Sequence, residues 1–484
     1  MDSREYAECD GVELAARIRA GAITATQALS CAYELIDRLD GQINAFVSLE
    51  EELAHATASA PGQGPLAGVP LAMKDCVGSV RGVTRSFGSR LAAGTHIDHD
   101  DEVVARYKAA GLIPMGTTNV PELSSSLSTE SRLHGPCRSP WNLARSVGGS
   151  SGGAAAAVAY GAVPIAYGND SAGSLRVPAS CCGVFGFRPG RGRIPTGPVH
   201  GEIWFGLLSH HVITRTVRDS ALVLDVSEGI DAGAPYGAPD KKRAYLEECA
   251  TPATPIRIAV SDGAEQGFAI DAECAAGLEE TATLLRNLGH QVAYASPRYS
   301  GTQLIESVTT LLAVALAEEI PEIAAATKRD IGPETVESCQ RTLMERGRKV
   351  AALELSRTLR FKGELGRILG RFLEDYDVLL TPTLAELPIR LGTLNTDSND
   401  LDAYLERMWR YSPFTPLANV CGIPSMSVPL CWSVDGLPIG MMFTGRYAEE
   451  GLLFRLAGQL ESARPWRSEH PPISAWNLGG IRGD

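Results

Sequence analysis

The stretch ARSVGGSSGGAAAAVAYGAVPIAYGNDSAGSLRVPASCCGVFGFRPGRGRIP, residues 144–195, decides how the rest of the chain is read. Two clusters of glycine and small polar residues, 148–153 and 171–174, flank an alanine-rich segment and the apolar run 163–167. That order predicts a loop, a buried helix, a strand and a second loop. Glycine lets backbone N–H groups approach a ligand closely, and both loops carry serines, so the stretch points to hydroxyl chemistry supported by backbone donors. Ser150, Ser174 and Arg176 are its principal polar residues. A base has to come from elsewhere in the chain.

Working outward toward the N-terminus, residues 67–73 (AGVPLAM) read as a short apolar strand that delivers Lys74 and Asp75 at its end. A lysine there admits two readings. It is either a surface residue at a strand terminus or a buried amine whose desolvation lowers its pKa and frees a lone pair to accept a proton. Residues 12–60 read as two peripheral helices, with Thr24 the N-cap of the second. A helix is predicted over 101–110, a strand over 112–115 and a long irregular segment over 117–145 containing Ser124, Ser125 and Ser126. Ordered loops of that length are usually functional.

Toward the C-terminus, residues 201–215 set Trp204 and Phe205 on a loop, and a helix follows over 216–225. From Ile256 the pattern becomes strand, helix, strand, then a mostly helical block over 303–375. Apolar strands are predicted at 377–381, 424–430 and 439–443, and an amphipathic helix over 450–462 closes the chain. No repeat or low-complexity linker interrupts this order, and the composition shift over 228–255 is the one candidate internal boundary. The expectation is an α/β fold in one domain over 1–484, with N-terminal helices in 1–60, a catalytic core in 65–225 and a C-terminal α/β part in 255–484.

Composition narrows the function. With 484 residues, 44% hydrophobic and 21% charged, the chain has material for a large core and is not of a disordered or fibrous type. A net charge of −13 disfavours a nucleic-acid surface and favours a small-molecule partner. The eleven cysteines are an odd number without CxxC pairs or zinc-type spacing, so neither a disulfide framework nor a metal is implied, no cofactor is called for, and a cytoplasmic setting is expected. The first residues have no secretory pattern, and the longest apolar run, 154–168, is too short to span a bilayer, so no membrane partner is expected.

Residues 148–152 formally match G-x-S-x-G, the nucleophile elbow of hydrolases. An elbow follows a strong strand, whereas Pro140, Trp141, Asn142 and Arg145 precede this one, and no histidine stands in a distinctive setting; the pair His210 and His211 reads as structural. A Ser-Lys arrangement replaces the triad in some enzymes, and its ingredients are present in Lys74, Ser150 and Ser174.

The run GGSSGG, followed by GNDSAGSLRVPASCCGVFGFRP, together with the strand GVPLAMKD and the later segments TPLANVCGIPSMSVPL and GLPIGMMFTG, resembles the amidase signature family over most of the chain. Its GND in place of the commoner GTD is similar to bacterial members that include hydrolases of cyclic amide dimers. The resemblance implies a large mixed central β-sheet flanked by helices on both faces, and an amidohydrolase cleaving a linear, or also a cyclic, carboxylic amide. It implies Ser174 as nucleophile, Ser150 as the bridging serine held through a cis peptide, and Lys74 as terminal base. The N–H groups of Ser171, Ala172, Gly173 and Ser174 would form the oxyanion hole, with Asp170 and Arg176 bracing the loop. Arg176 also reads simply as an ion-pair partner of Asp170, Ser151 as an N-cap in a supporting position, and Cys181 and Cys182 as small buried residues.

The sequence departs from the commonest family pattern at Asn169, Ala172 and Arg188. Ser125, Trp204 and Phe205 are the candidate substrate contacts, and Trp204 suggests an apolar or aromatic acyl group. Two alternatives stay open: an amidotransferase subunit acting on aminoacyl-tRNA, and a catalytically silent binding protein on the same scaffold. A homodimer is left open as the assembly.

Overall fold

The computed structural model describes residues 1–478 and is built around an eleven-stranded mixed sheet. In chain order its strands are β1 (Phe46–Leu49), β2 (Pro70–Lys74), β3 (Ile113–Thr118), β4 (Ile165–Asp170), β5 (Phe185–Arg188), β6 (Ser209–Thr214), β7 (Arg257–Val260), β8 (Gln291–Tyr294), β9 (Val378–Pro382), β10 (Ser425–Trp432) and β11 (Pro438–Gly445). Across the sheet they lie in the order β1-β3-β2-β4-β6-β5-β10-β11-β9-β7-β8. β3, β2 and β4 are mutually parallel, as are β9, β7 and β8, and the remaining neighbours pair antiparallel. Helices pack against this sheet, as the α/β reading expects.

The parallel set β3-β2-β4 explains why the signature stretch is apolar. Every residue of these three strands is buried, the pattern of strands covered on both faces. The alanine-rich segment forms helix Gly152–Ala159, whose eight residues are all buried and which packs on β2 and β4. A helix without a polar face has no place at the surface. In β2 and β4 the register pairs Leu71 with Ile165 and Ala72 with Ala166. Continued to the strand ends, it sets Lys74 beside Gly168 and Asn169, at the carboxyl ends of parallel strands where α/β sheets place their ligand crevices.

Several sequence expectations need correction. Residues 1–60 are not purely helical: after helices Gly11–Arg19 and Ala25–Ile43 the chain forms β1, the sheet's edge strand. The second helix does begin at Thr24, with a complete capping box to Gln27. Strands β5 and β6 were unanticipated, as was helix Arg176–Cys182 directly after Ser174. β6 reads SHHVIT, too polar at its start to look like a central strand, yet all six residues are buried. The helical block is three helices, Gly301–Thr327, Ser338–Arg348 and Ala352–Asp375. No helix among the described residues is long and apolar enough to cross a membrane.

Helix Gly152–Ala159 is pressed so close to the neighbouring backbone that its second residue has no room for a side chain. A Cβ on Gly153 would lie 2.4 Å from the Ala45 carbonyl oxygen and 2.5 Å from the Asn119 nitrogen. Helix propensity alone gives Gly153→Ala a gain of about 1 kcal/mol. The backbone overlap reverses that sign, and we expect a net loss of about 1–3 kcal/mol, read as a lowered midpoint in urea unfolding; an unchanged or raised midpoint would show that the helix shifts freely.

Candidate active site

Lys74 is fully buried at the end of β2, which excludes the surface reading. Its Nζ donates to Ser150 Oγ at 2.7 Å and to Asn169 Oδ1 at 2.7 Å. Asn169 is oriented in turn by its Nδ2, which donates to Cys76 Sγ at 3.0 Å. Neither of these Nζ partners carries a charge, so nothing in direct contact repays the cost of desolvating an ammonium. Burial holds the Lys74 pKa below its ordinary value, while Cys76 and Asp170 oppose the shift only in part. An amine in that state can accept a proton from the hydroxyl it already touches.

The loop 171–174 is held by one buried ion pair. Arg176 Nε donates to Asp170 Oδ2 at 2.9 Å and Nη2 to Oδ1 at 3.0 Å, with both side chains wholly buried. Asn419 donates to Asp170 Oδ1 at 2.8 Å and accepts from Arg176 Nη2 at 2.6 Å. Burial alone would raise the Asp170 pKa; the Arg176 charge and its hydrogen bonds outweigh that and hold the carboxylate ionised. The same carboxylate takes the N–H groups of Gly173 at 2.6 Å and Leu175 at 3.1 Å. Of the four N–H groups expected to form an oxyanion hole, that of Gly173 therefore donates to Asp170. The N–H groups of Ser171, Ala172 and Ser174 have no acceptor among the described residues.

Gly173 has a different role. Its φ of +133° is a conformation open essentially to glycine, and a Cβ there would strike Thr415 Oγ1 at 2.4 Å. Thr415 Oγ1 donates to the Ala172 carbonyl at 2.6 Å and so fixes the direction of that peptide. Ala172 itself is not in the left-handed region, which explains why alanine is accepted where the family commonly has glycine.

Ser150 lines a cavity of about 170 Å³ and Ser174 an adjoining one of about 30 Å³; Ser124, Ser171 and Trp204 line both. The Gly149–Ser150 peptide is cis. No hydrogen bond joins the Ser150 and Ser174 hydroxyls, although the Ser151 N–H donates to the Ser174 carbonyl at 3.2 Å. A larger cleft of about 870 Å³ meets the Ser174 cavity at Trp409 and contains none of the candidate serines, so its size does not make it the reacting centre.

The walls of the Ser150 cavity carry unusual backbone. Eight non-glycine residues of the described chain have positive φ, and four of them line it: Phe87 (53°), Leu123 (51°), Ser124 (54°) and Trp204 (50°). Each such residue costs about 1–3 kcal/mol, and conformations of this kind gather at binding sites. Trp204, Phe205 and Gly206 are successively left-handed, and their segment is pinned by cations. Lys362 donates to the Phe205 carbonyl, Arg191 to that of Gly206 at 2.6 Å and Arg188 to that of Leu207 at 3.2 Å. Arg188, the third departure from the family pattern, is thus fully buried among carbonyl oxygens, and burial lowers its pKa to about 9.

Of the expected substrate contacts, Ser125 lines the Ser174 cavity and Trp204 lines both cavities. Phe205 is corrected: it lines neither, and packs against the core. Ser151 occupies the N-cap position, but its hydroxyl donates to the Asn169 carbonyl at 3.3 Å instead of capping the helix. His210 bonds Tyr167 and His211 bonds Ser220, and burial lowers their pKa values to about 4 and about 3, so neither is paired with Ser150 or Ser174. Cys181 and Cys182 are buried with thiol pKa values raised by burial, as inert core residues are. Asn419, Thr415 and Glu319 were missed. The first two lie in the segment TPLANVCGIP, where their polar side chains in an apolar run were the available signal.

Residues 27–454 match the family model described as Amidase. The chain is 34% identical over 476 residues to a 6-aminohexanoate-cyclic-dimer hydrolase of Paenarthrobacter ureafaciens, covering 96% of each protein. It is 30% identical over 471 residues to an acylamidase of Rhodococcus erythropolis, covering 96% of this chain and 97% of that one. A solved structure of 6-aminohexanoate cyclic dimer hydrolase superposes with a TM-score of 0.90 at 33% identity, over 96% of this chain and 99% of that chain. This chain belongs to the amidase signature family.

Proposed function

We propose that the protein hydrolyses carboxylic amides of small molecules through an acyl-enzyme on Ser174, with Ser150 and Lys74 as the proton relay. The observation that carries this reading is the buried Lys74 amine, held 2.7 Å from Ser150 Oγ without a charged hydrogen-bonding partner. Neutral Lys74 takes the Ser150 proton while Ser150 takes that of Ser174, and Ser174 Oγ bonds to the amide carbon. The carbonyl oxygen becomes an oxyanion facing the open N–H groups of Ser171, Ala172 and Ser174. Each such donor is worth about 3–4 kcal/mol of barrier. The relay then runs backward: Ser150 protonates the departing nitrogen, the C–N bond breaks, and the amine leaves.

Water next attacks the Ser174 ester through the same relay and releases the carboxylate. The structure shows no Ser150–Ser174 hydrogen bond, and such contacts commonly tighten when substrate binds. Eleven unpaired cysteines, nine of them buried, favour a reducing, cytoplasmic setting.

Two tests separate the roles. Ser174→Ala is expected to lose amide hydrolysis by about a thousandfold or more and to lose labelling by a fluorophosphonate probe; retained turnover would remove Ser174 as nucleophile. Because the amine must be neutral to act, kcat/KM should fall as pH drops through the lowered lysine pKa, and Lys74→Ala should abolish turnover. A profile flat between roughly pH 5 and 9 would count against Lys74 as base.

A further inference from the structure

The Ser150 cavity holds one group the relay does not use. Glu319, on helix Gly301–Thr327, lines this cavity, and its carboxyl accepts a hydrogen bond from Trp204 Nε1. No lysine, arginine or histidine pairs with it among the described residues. The charged groups acting on it, Glu318 and Glu322, share its sign, and Glu322, one turn along the helix, also lines the cavity. The remaining wall is mainly apolar, from Val77, Phe87, Leu123, Ile203, Leu208 and Ile323, with His200, Ser124, Asn169 and Ser171 as its other polar members. Burial raises the Glu319 pKa to about 7, which marks a carboxylate that lacks its counter-ion.

The position of this carboxylate says which half of a substrate meets it. On the proposed mechanism, Ser150 returns the proton to the departing nitrogen, so the amine half of the amide lies in the cavity that Ser150 lines. Ser174 and the acyl half face the adjoining cavity with Ser125, Leu312 and Met408. A largely apolar cavity that also presents an unpaired carboxylate suits a methylene chain ending in an ammonium group. Trp204 fixes the carboxyl through its indole N–H, and the three cation-to-carbonyl contacts on residues 205–207 hold Trp204 in its left-handed conformation.

We propose that Glu319 is a specificity residue that receives a protonated amine on the leaving half of the substrate, so that the preferred substrates are amides of diamines or of similar amines bearing a second, cationic nitrogen. The inference rests on the amide-hydrolase reading, because it takes the leaving group's direction from the Ser150 relay.

The test is a matched pair of amides of one apolar acid, one with an N-(aminoalkyl) group and one with an N-alkyl group of equal length. The wild-type enzyme should favour the aminoalkyl amide in kcat/KM by about 10- to 100-fold, mostly through KM. Glu319→Gln keeps an acceptor for Trp204 while removing the charge, and should erase that preference by lowering kcat/KM for the aminoalkyl amide far more than for the alkyl amide, with the melting temperature unchanged. Equal turnover of both amides by the wild-type enzyme, or an equal loss on both in Glu319→Gln, would overturn the role of Glu319 and leave the amidase reading standing. Failure of both amides, with no Ser174 labelling, would instead overturn the amidase reading.

Discussion

A lysine amine sealed in the protein interior, with a serine hydroxyl and an amide oxygen as its hydrogen-bond partners, is the constraint on which the rest of the site depends. Placing Lys74 there is costly if it is charged, and the fold offers it no carboxylate within hydrogen-bonding distance. The inexpensive solution is the neutral amine, and a neutral amine touching a serine is a base already in place. The sheet makes this geometry possible: parallel β2 and β4 bring Lys74 and Asn169 to adjacent strand ends, and helix Gly152–Ala159, packed without a polar face, brings Ser150 to the same level.

Charge is handled in the opposite way a few residues on. Asp170 and Arg176 are both buried, which is tolerable only because each is saturated with partners. Removing one member of such a pair typically costs about 3–5 kcal/mol, since the other is left uncompensated. The pair shapes the loop 171–174: it consumes the Gly173 and Leu175 N–H groups, while those of Ser171, Ala172 and Ser174 have no acceptor among the described residues. On the proposed mechanism the neutral lysine and the ionised aspartate divide the work, one moving protons and the other fixing backbone donors where negative charge develops.

Much of this was legible in the chain. The two glycine-serine loops, the buried helix between them, the strand ending at Lys74 and the family resemblance all depend on local pattern, and local pattern survives folding. The unread parts depend on partners far apart in sequence. Nothing near Asp170 announces that Asn419 completes its coordination, and nothing near Trp204 announces Glu319. Left-handed backbone at Phe87, Leu123, Ser124 and Trp204 leaves no compositional trace, because these residues are forced there by their surroundings and do not favour it. β6 was hidden for a related reason: its buried histidines, neutralised by burial, look polar in sequence and behave as core. The Gly173 N–H was unreadable for a similar reason: a backbone N–H can serve an oxyanion or a carboxylate, and here it donates to Asp170.

The protonation state of Lys74 in the resting protein tests the account most directly. Carbon-13 NMR of protein labelled at the lysine ε-carbons, with the Lys74 signal assigned by its loss in Lys74→Met, reads that state without substrate or turnover. The account predicts a Lys74 signal in the neutral-amine position near neutral pH, moving to the ammonium position only as the solution is acidified. A signal in the ammonium position throughout roughly pH 6 to 9, like that of the surface lysines, would contradict it.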